Sequence, residues 1–407
     1  MSQRQIWLPS DVFPPRCGGA GWSAHALASA LQAHGEQVTA FVPRGQQTAR
    51  ITTVGDIRTV EVGVRTVPLR MLQGPLRVLT LRRALQHYRN HMTANDTIII
   101  HAQHIVSAQA AMALRNAHTR VIITVRDHWP WDMRATGMQM QGDQRTWAGM
   151  RATLAARQAP LQQRLLAGAY VREMRLRARL LADADAVIAV SSHMAERIKR
   201  HVPTARVHAI PNMVDGAQIA RIVAHPPTIT LPERFALFVG KLEPNKGAEL
   251  LPELIERIRP PALVIAGSGT LQAQITQAAT QAGVPCLALD WMEHDDVLRL
   301  MTRCEALWFP SSWDEPLSRT LLEGLACGAP IVAMPTGGTP EIIEDGASGL
   351  LAADSAQFVQ AAHRLHHEPH LRATLAQGAR ARAAMHFSPA TVIRAVQALY
   401  DEIEGNR

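Results

Sequence analysis

The sequence predicts two doubly wound α/β domains, each a largely parallel sheet flanked by helices, and three observations predict them. At 407 residues the chain exceeds one ordinary α/β unit and suffices for two domains that each bury a core. Short apolar runs rich in β-branched residues alternate with longer stretches of helical spacing from one end to the other. A gap rich in turn residues and prolines divides these runs into two series near the middle of the chain.

The first series of strand candidates is 5–8, 37–42, 97–101, 121–126, 186–191 and 207–210; the second is 235–240, 262–266, 286–289, 306–309 and 331–334. Between Val214 and Pro232 a boundary is expected, because Asn212 and Asp215 favour turns and Pro226, Pro227 and Pro232 interrupt regular structure. The expected domains are therefore 1–212 and 213–388, with 389–407 a helix that follows Ser388-Pro389 and crosses back to the first domain. Residues 133–181 break the rhythm: they carry no strand signal, and nine arginines are set against two acids, with apolar residues at helical spacing. Inserted basic helices are expected there. Their basic face is either simply solvated or docks on anionic lipid or a phosphorylated acceptor, and Leu161, Leu165, Leu166, Leu176 and Leu180 suit either reading.

Composition narrows the function classes. A formal charge of +8 is a modest excess for this length, compatible with anionic ligands or peripheral contact with an anionic membrane. The arginines lack interleaved aromatics and no nucleic-acid module is recognisable, so no nucleic-acid partner is expected. No apolar run approaches the length of a bilayer helix, and Pro9, Asp11, Pro14 and Pro15 interrupt any leader pattern. The expected location is cytoplasmic, with the inner face of the membrane as the site of any peripheral contact. Cys17, Cys286, Cys304 and Cys327 are far apart and form no C-x-x-C pair, which fits neither zinc nor a disulfide framework.

The densest chemistry lies between Pro310 and Pro330, at the carboxyl end of a strand and running into a helix expected to start near Pro316. Glu315 and Glu323 are eight positions apart, about 12 Å along a regular helix. That span suits a nucleotide sugar, with one carboxylate at the sugar, the other at the ribose, and the diphosphate near the positive helix terminus. Two phosphates also need cations, and Lys241 and Lys246, in the loop opened by Gly240, are the candidates. Gly267 begins a Gly-Ser-Gly turn after another strand, and Gly18 and Gly19 end the first strand's loop; at both places backbone can approach a ligand. His101, His104 and the run Arg126-Asp127-His128 follow strands in the first half. Metal and cofactor motifs are absent: there is no H-E-x-x-H, no P-loop and no Asp-x-Asp near the site, so no metal or cofactor is expected.

The stretch E-P-L-S-R-T-L-L-E-G-L-A-C-G-A-P from Glu315, followed by Gly337-Gly338-Thr339-Pro340-Glu341-Ile342-Ile343 and Gly349, resembles the donor-site signature of the retaining GT-B transferases of the "glycosyl transferases group 1" family, glycosyltransferase family 4. The resemblance implies two Rossmann-like domains facing across a cleft, and transfer of a hexosyl-type sugar from a nucleotide diphosphate sugar to a glycan or lipid-linked acceptor with retention. It places Glu315 by the donor sugar, Glu323 on the ribose, and Lys241 and Lys246 on the leaving diphosphate. Lys241 stands where the family commonly has arginine, and Leu317-Ser318 where it often has Phe-Gly, so the amides of Leu317 and Ser318 are expected near sugar and phosphate. Gly18 and Gly19 resemble the loop that meets the donor from the acceptor side. Arg126-Asp127-His128 resembles a His-Asp-Tyr segment, leaving Asp127 or His128 to orient the acceptor hydroxyl or accept its proton, because arginine stays protonated. The alternative is a sugar-nucleotide-binding protein of this fold without catalysis.

Overall fold

The computed structural model describes residues 4–15, 17–44, 49–64, 70–93, 96–227 and 229–405. The chain divides into two compact units, residues 1–212 with 392–407, and residues 213–391.

The first unit holds β1 (Gln5–Pro9), β2 (Gln37–Arg44), β3 (Arg50–Val54), β4 (Ile57–Gly63), β5 (Ile98–Ala102), β6 (Thr119–Val125), β7 (Ala186–Ala189) and β8 (Val207–Ala209). They form one sheet in the order β3-β4-β2-β1-β5-β6-β7-β8, parallel throughout except where β3 pairs antiparallel with β4. Helices cover the sheet, so central strands read as apolar runs; every residue of β5 is buried. The β3–β4 hairpin was not expected from the sequence. Its signal is there nonetheless: Gly55-Asp56 separates two β-branched runs, and Gly55 takes φ +63° at the first loop position.

Residues 133–181 form the helices Trp147–Ala156, Leu161–Leu165 and Ala167–Asp183, and the first and last of these share a small core of Met150, Leu154, Val171 and Met174. The helix Pro389–Gly405 buries Val392, Ile393, Val396, Leu399, Tyr400 and Ile403, and from Val392 onward it belongs to the first unit. Its ties there are polar as well as apolar. Arg4, just before β1, donates to Asp401 at 2.7 Å and Glu404 at 3.2 Å and also pairs with Glu36. The Tyr400 hydroxyl lies 2.7 Å from His101 Nδ1, and Thr124 Oγ1 lies 2.6 Å from His101 Nε2. Burial, reinforced by the charge of Arg126, pushes His101 down to about 3, so this histidine is a neutral core group and not a ligand contact.

The second unit holds β9 (Ala236–Val239), β10 (Leu263–Ala266), β11 (Cys286–Ala288), β12 (Ala306–Phe309), β13 (Ile331–Ala333) and β14 (Leu350–Leu351). The sheet order is β11-β10-β9-β12-β13-β14, all parallel. Leu254, Ile255, Ile265, Trp308 and Phe358 lie in its core. Two-residue β14 has no sequence signature of its own; its place is set by pairing with β13.

Replacing Tyr400 by Phe leaves His101 Nδ1 buried without its partner, at a cost of about 1–3 kcal/mol. In urea unfolding followed by circular dichroism, the Tyr400→Phe midpoint is expected to fall with the slope unchanged.

Candidate active site

Strand order reverses once in each sheet, between β1 and β5 in the first and between β9 and β12 in the second. Ligands of doubly wound sheets bind outside the carboxyl ends of strands at such points.

In the second unit the loop leaving β9 runs through Gly240 into short 3₁₀ turns at Pro244–Lys246 and Ala248–Leu250. Between them Gly247 takes φ +71° and lies so close to the chain after β12 that a Cβ would stand 1.8 Å from the Pro310 carbonyl oxygen. Only glycine permits that approach. It delivers Lys246 to the neighbouring loop, where Nζ lies 2.7 Å from Glu315 Oε1 and 4.1 Å from the centre of the Trp313 ring. Glu315 is 2% exposed, and Ser311 Oγ donates to the same Oε1 at 2.7 Å. From the β13 side Gly337, at φ +55°, approaches the Glu315 carbonyl to where a Cβ would stand 2.2 Å away, and the Gly338 N–H donates to that carbonyl at 2.7 Å. Three strand-end loops therefore converge on one glutamate. Gly267, after β10, lies against the Gly240 carbonyl, and Lys241 is exposed at the head of the β9 loop.

Glu323 sits on the helix Arg319–Cys327. The sequence placed the start of this helix near Pro316; the structure corrects it to Arg319, because Ser318 Oγ accepts the Leu321 N–H at 3.4 Å and makes Ser318 the N-cap. Leu317 and Ser318 are both buried. Glu323 is 5% exposed, with His294 Nε2 and Arg319 Nε each 2.7 Å from its Oε1. Burial alone would raise this carboxyl; the charge of Arg319 and the hydrogen bonds from His294 and Arg319 hold it below the ordinary carboxylate value. Nothing in the sequence pointed to His294, which lies 29 positions before Glu323 and opens the helix His294–Arg303.

In the first unit Gly18 caps the helix Gly19–Ala33, and both glycines are exposed. Beyond its chain neighbours no atom lies within 4 Å of where a Gly18 Cβ would stand, and in the first turn the Gly21 N–H donates to the Gly18 carbonyl at 3.0 Å. Arg16 of the same loop lies outside the described residues. Across the switch point, His104 after β5 links two carboxylates: Nδ1 lies 3.0 Å from Asp11 after β1, and Nε2 lies 2.6 Å from Asp127 after β6. Burial works against a charged ring, but the hydrogen bonds and charges of Asp11 and Asp127 outweigh it and push His104 up to about 10. Asp11 also accepts from the backbone N–H groups of Val106 and Ser107 and stays below the usual carboxylate range despite its burial. Asp127 also accepts from the Trp129 N–H at 2.8 Å. In the sequence Asp11 is legible only as an acid just past the first strand.

His128, expected beside Asp127 to orient the acceptor hydroxyl or take its proton, has no exposed surface. It packs against Trp131, with ring centres 5.4 Å apart, and burial, aided by the charge of Arg197, pushes it down to about 4. The ring reaches no open surface in this structure, which differs from the expectation that it meets the acceptor hydroxyl. Arg126 is turned to Asn212, donating from Nε to Oδ1 at 3.0 Å.

Residues 17–218 match the model of Glycosyltransferase Family 4, and residues 225–382 that of Glycosyl transferases group 1. Glycogen synthase of Mycobacterium tuberculosis is 28% identical over 262 residues, 62% of this chain and 62% of that protein. The chain spans about half the length of the curated relatives it matches. Sucrose-phosphate synthase from Thermosynechococcus elongatus superposes with a TM-score of 0.74 at 19% identity, covering 100% of both chains. Anabaena HepE, solved in complex with UDP-glucose, superposes with a TM-score of 0.65 at 18% identity over 98% of this chain and 99% of its own. At these identities the two structures establish the shared fold. With both halves of the chain matched to the family's models and its full length following their architecture, the protein belongs to the glycosyl transferases group 1 family and has the GT-B fold.

Proposed function

We propose that the protein transfers a hexosyl-type sugar from a nucleotide diphosphate donor to a glycan or lipid-linked glycan, with retention of configuration and without metal or cofactor. The observation that carries this reading is the pair of buried glutamates in the second domain, each anchored through one oxygen. Lys246 and Ser311 bind Oε1 of Glu315, and His294 and Arg319 bind Oε1 of Glu323. In each case we assign Oε2 to the ligand. A sugar nucleotide offers hydroxyls at both ends and a diphosphate between them, so Glu315 takes the sugar and Glu323 the ribose. Lys246, Lys241 and the amides at the start of Arg319–Cys327 take the phosphates. The UDP-glucose bound by Anabaena HepE makes uridine donors the first to try.

In the transfer step the acceptor oxygen bonds to the anomeric carbon on the face the diphosphate leaves. The carbon–oxygen bond to the diphosphate breaks, and the acceptor proton passes to the departing phosphate oxygen. Asp127, steadied by His104, orients the acceptor hydroxyl; Gly18 and Gly19 present amides to the donor phosphate or reacting sugar. Cations and amides are the stabilisers of the leaving charge.

A panel of nucleotide sugars assayed for freed nucleotide diphosphate tests the reading. Lys246→Ala and Glu315→Ala are each expected to lower kcat/KM by roughly 10²–10³-fold, while Glu323→Gln raises KM more than it lowers kcat. Chelation with EDTA should leave the rate unchanged. Tight binding of a sugar nucleotide with no product from any acceptor would replace this reading with the non-catalytic one.

The Asp11–His104–Asp127 cluster adds a test by linkage. An unfolded histidine titrates near 6.5 and His104 near 10, so its charge stabilises the fold fully below about pH 6.5 and progressively less as pH rises towards 10. The difference in urea midpoint between the wild type and His104→Asn should be widest near about pH 6 and narrow by about pH 9.5.

A further inference from the structure

The helices Trp147–Ala156 and Ala167–Asp183 bury one side in a shared core and turn the other to solvent, and the short helix Leu161–Leu165 between them buries no residue. Large apolar side chains stand out on that outer side: Leu165 is 76% exposed, Leu161 70%, Trp147 52% and Leu176 42%. Elsewhere in the described chain such residues are scattered singly. Cations accompany them. Arg172, Arg175, Leu176 and Arg179 are all exposed and follow the i, i+3, i+4, i+7 spacing of one helical stripe. The acids nearby are engaged with other arginines, Glu173 with Arg177, Asp143 with Arg145 and Asp132 with Arg157. Trp147 borders the stripe, because its ring lies 3.4 Å from where a Cβ on Gly168 would stand, one turn before Arg172.

We propose that this face docks the first domain on a bilayer surface containing anionic lipid. Leu161 and Leu165 enter the acyl boundary, Trp147 lies at the interface, and the arginine stripe meets the headgroup phosphates while its aliphatic stems lie along apolar surface. The mixture of groups selects this partner. A nucleic acid or an acidic peptide would satisfy the arginines but leave the exposed leucines against phosphate or water. A second copy of the chain would bring two stripes of the same charge together. The inference stands independently of the donor site.

Sedimentation of the full chain with phosphatidylcholine vesicles, with and without about one-third phosphatidylglycerol, tests it. Binding is expected only to the anionic vesicles, with release at high salt and a blue shift in tryptophan emission that Trp147→Phe diminishes. The triple charge reversal Arg172→Glu, Arg175→Glu, Arg179→Glu is expected to weaken binding by roughly a hundredfold. Leu161→Ser with Leu165→Ser is expected to weaken it by about tenfold. Both variants should keep the wild-type circular dichroism spectrum and release of nucleotide from the donor. Undiminished binding by the charge-reversed variant, equal binding to neutral vesicles, or a dimer that these substitutions dissolve without any vesicle binding would overturn the proposal.

Discussion

The candidate site of the second unit depends on one close approach, the contact of Gly247 with the Pro310 carbonyl. A side chain at that glycine would occupy the space of the carbonyl oxygen, so the β9 and β12 loops lie together only because none is there. The contact spans the point where the sheet order reverses, and it turns a general property of doubly wound folds into a specific site: an ammonium group held on a buried carboxylate. Gly337 repeats the device from the β13 side. Glu315 is thus fixed by backbone packing on two flanks, with side-chain bonds only at its tip, and fixed groups of this kind need little reorganisation as charge develops in a reaction.

Much of this was legible in the sequence because it is local. Apolar runs announced nearly every buried parallel strand, and the segment around Glu315 and Glu323 declared itself by residue type, spacing and resemblance. The exceptions have physical causes. The β3–β4 hairpin alternates polar and apolar residues, a weaker pattern than the continuous runs of its neighbours, and β14 is too short to show any period. The start of the Glu323 helix was displaced because a Glu-Pro step resembles a helix beginning, whereas the serine two residues beyond Pro316 supplies the cap. Partners distant in the chain left no trace. His294 meets Glu323, and Asp11 meets His104, because strand ends converge in space, which spacing along the chain does not encode.

Histidines illustrate the limit most directly. His101, His104 and His128 all stand at or just past strand ends in the first domain and look alike in sequence. The fold gives them three environments: a hydroxyl-bonded core position, a bridge between two carboxylates, and a buried aromatic contact. Only the bridge carries charge at neutral pH, because only there do two acids outweigh the cost of burial. Residue type does not tell the three apart, whereas their surroundings do.

The helix from Pro389 bears on how the protein is made. Residues 392–405 complete the first unit, yet they leave the ribosome after the entire second unit. Until then Arg4 lacks two of its acids and the Tyr400 side of His101 is uncovered. The second unit, whose residues are contiguous in the chain, can finish folding during synthesis, whereas the first must wait half-built for its last helix. The order of completion therefore runs opposite to the order of translation, and the nascent first unit is the part most exposed to chaperones and proteases.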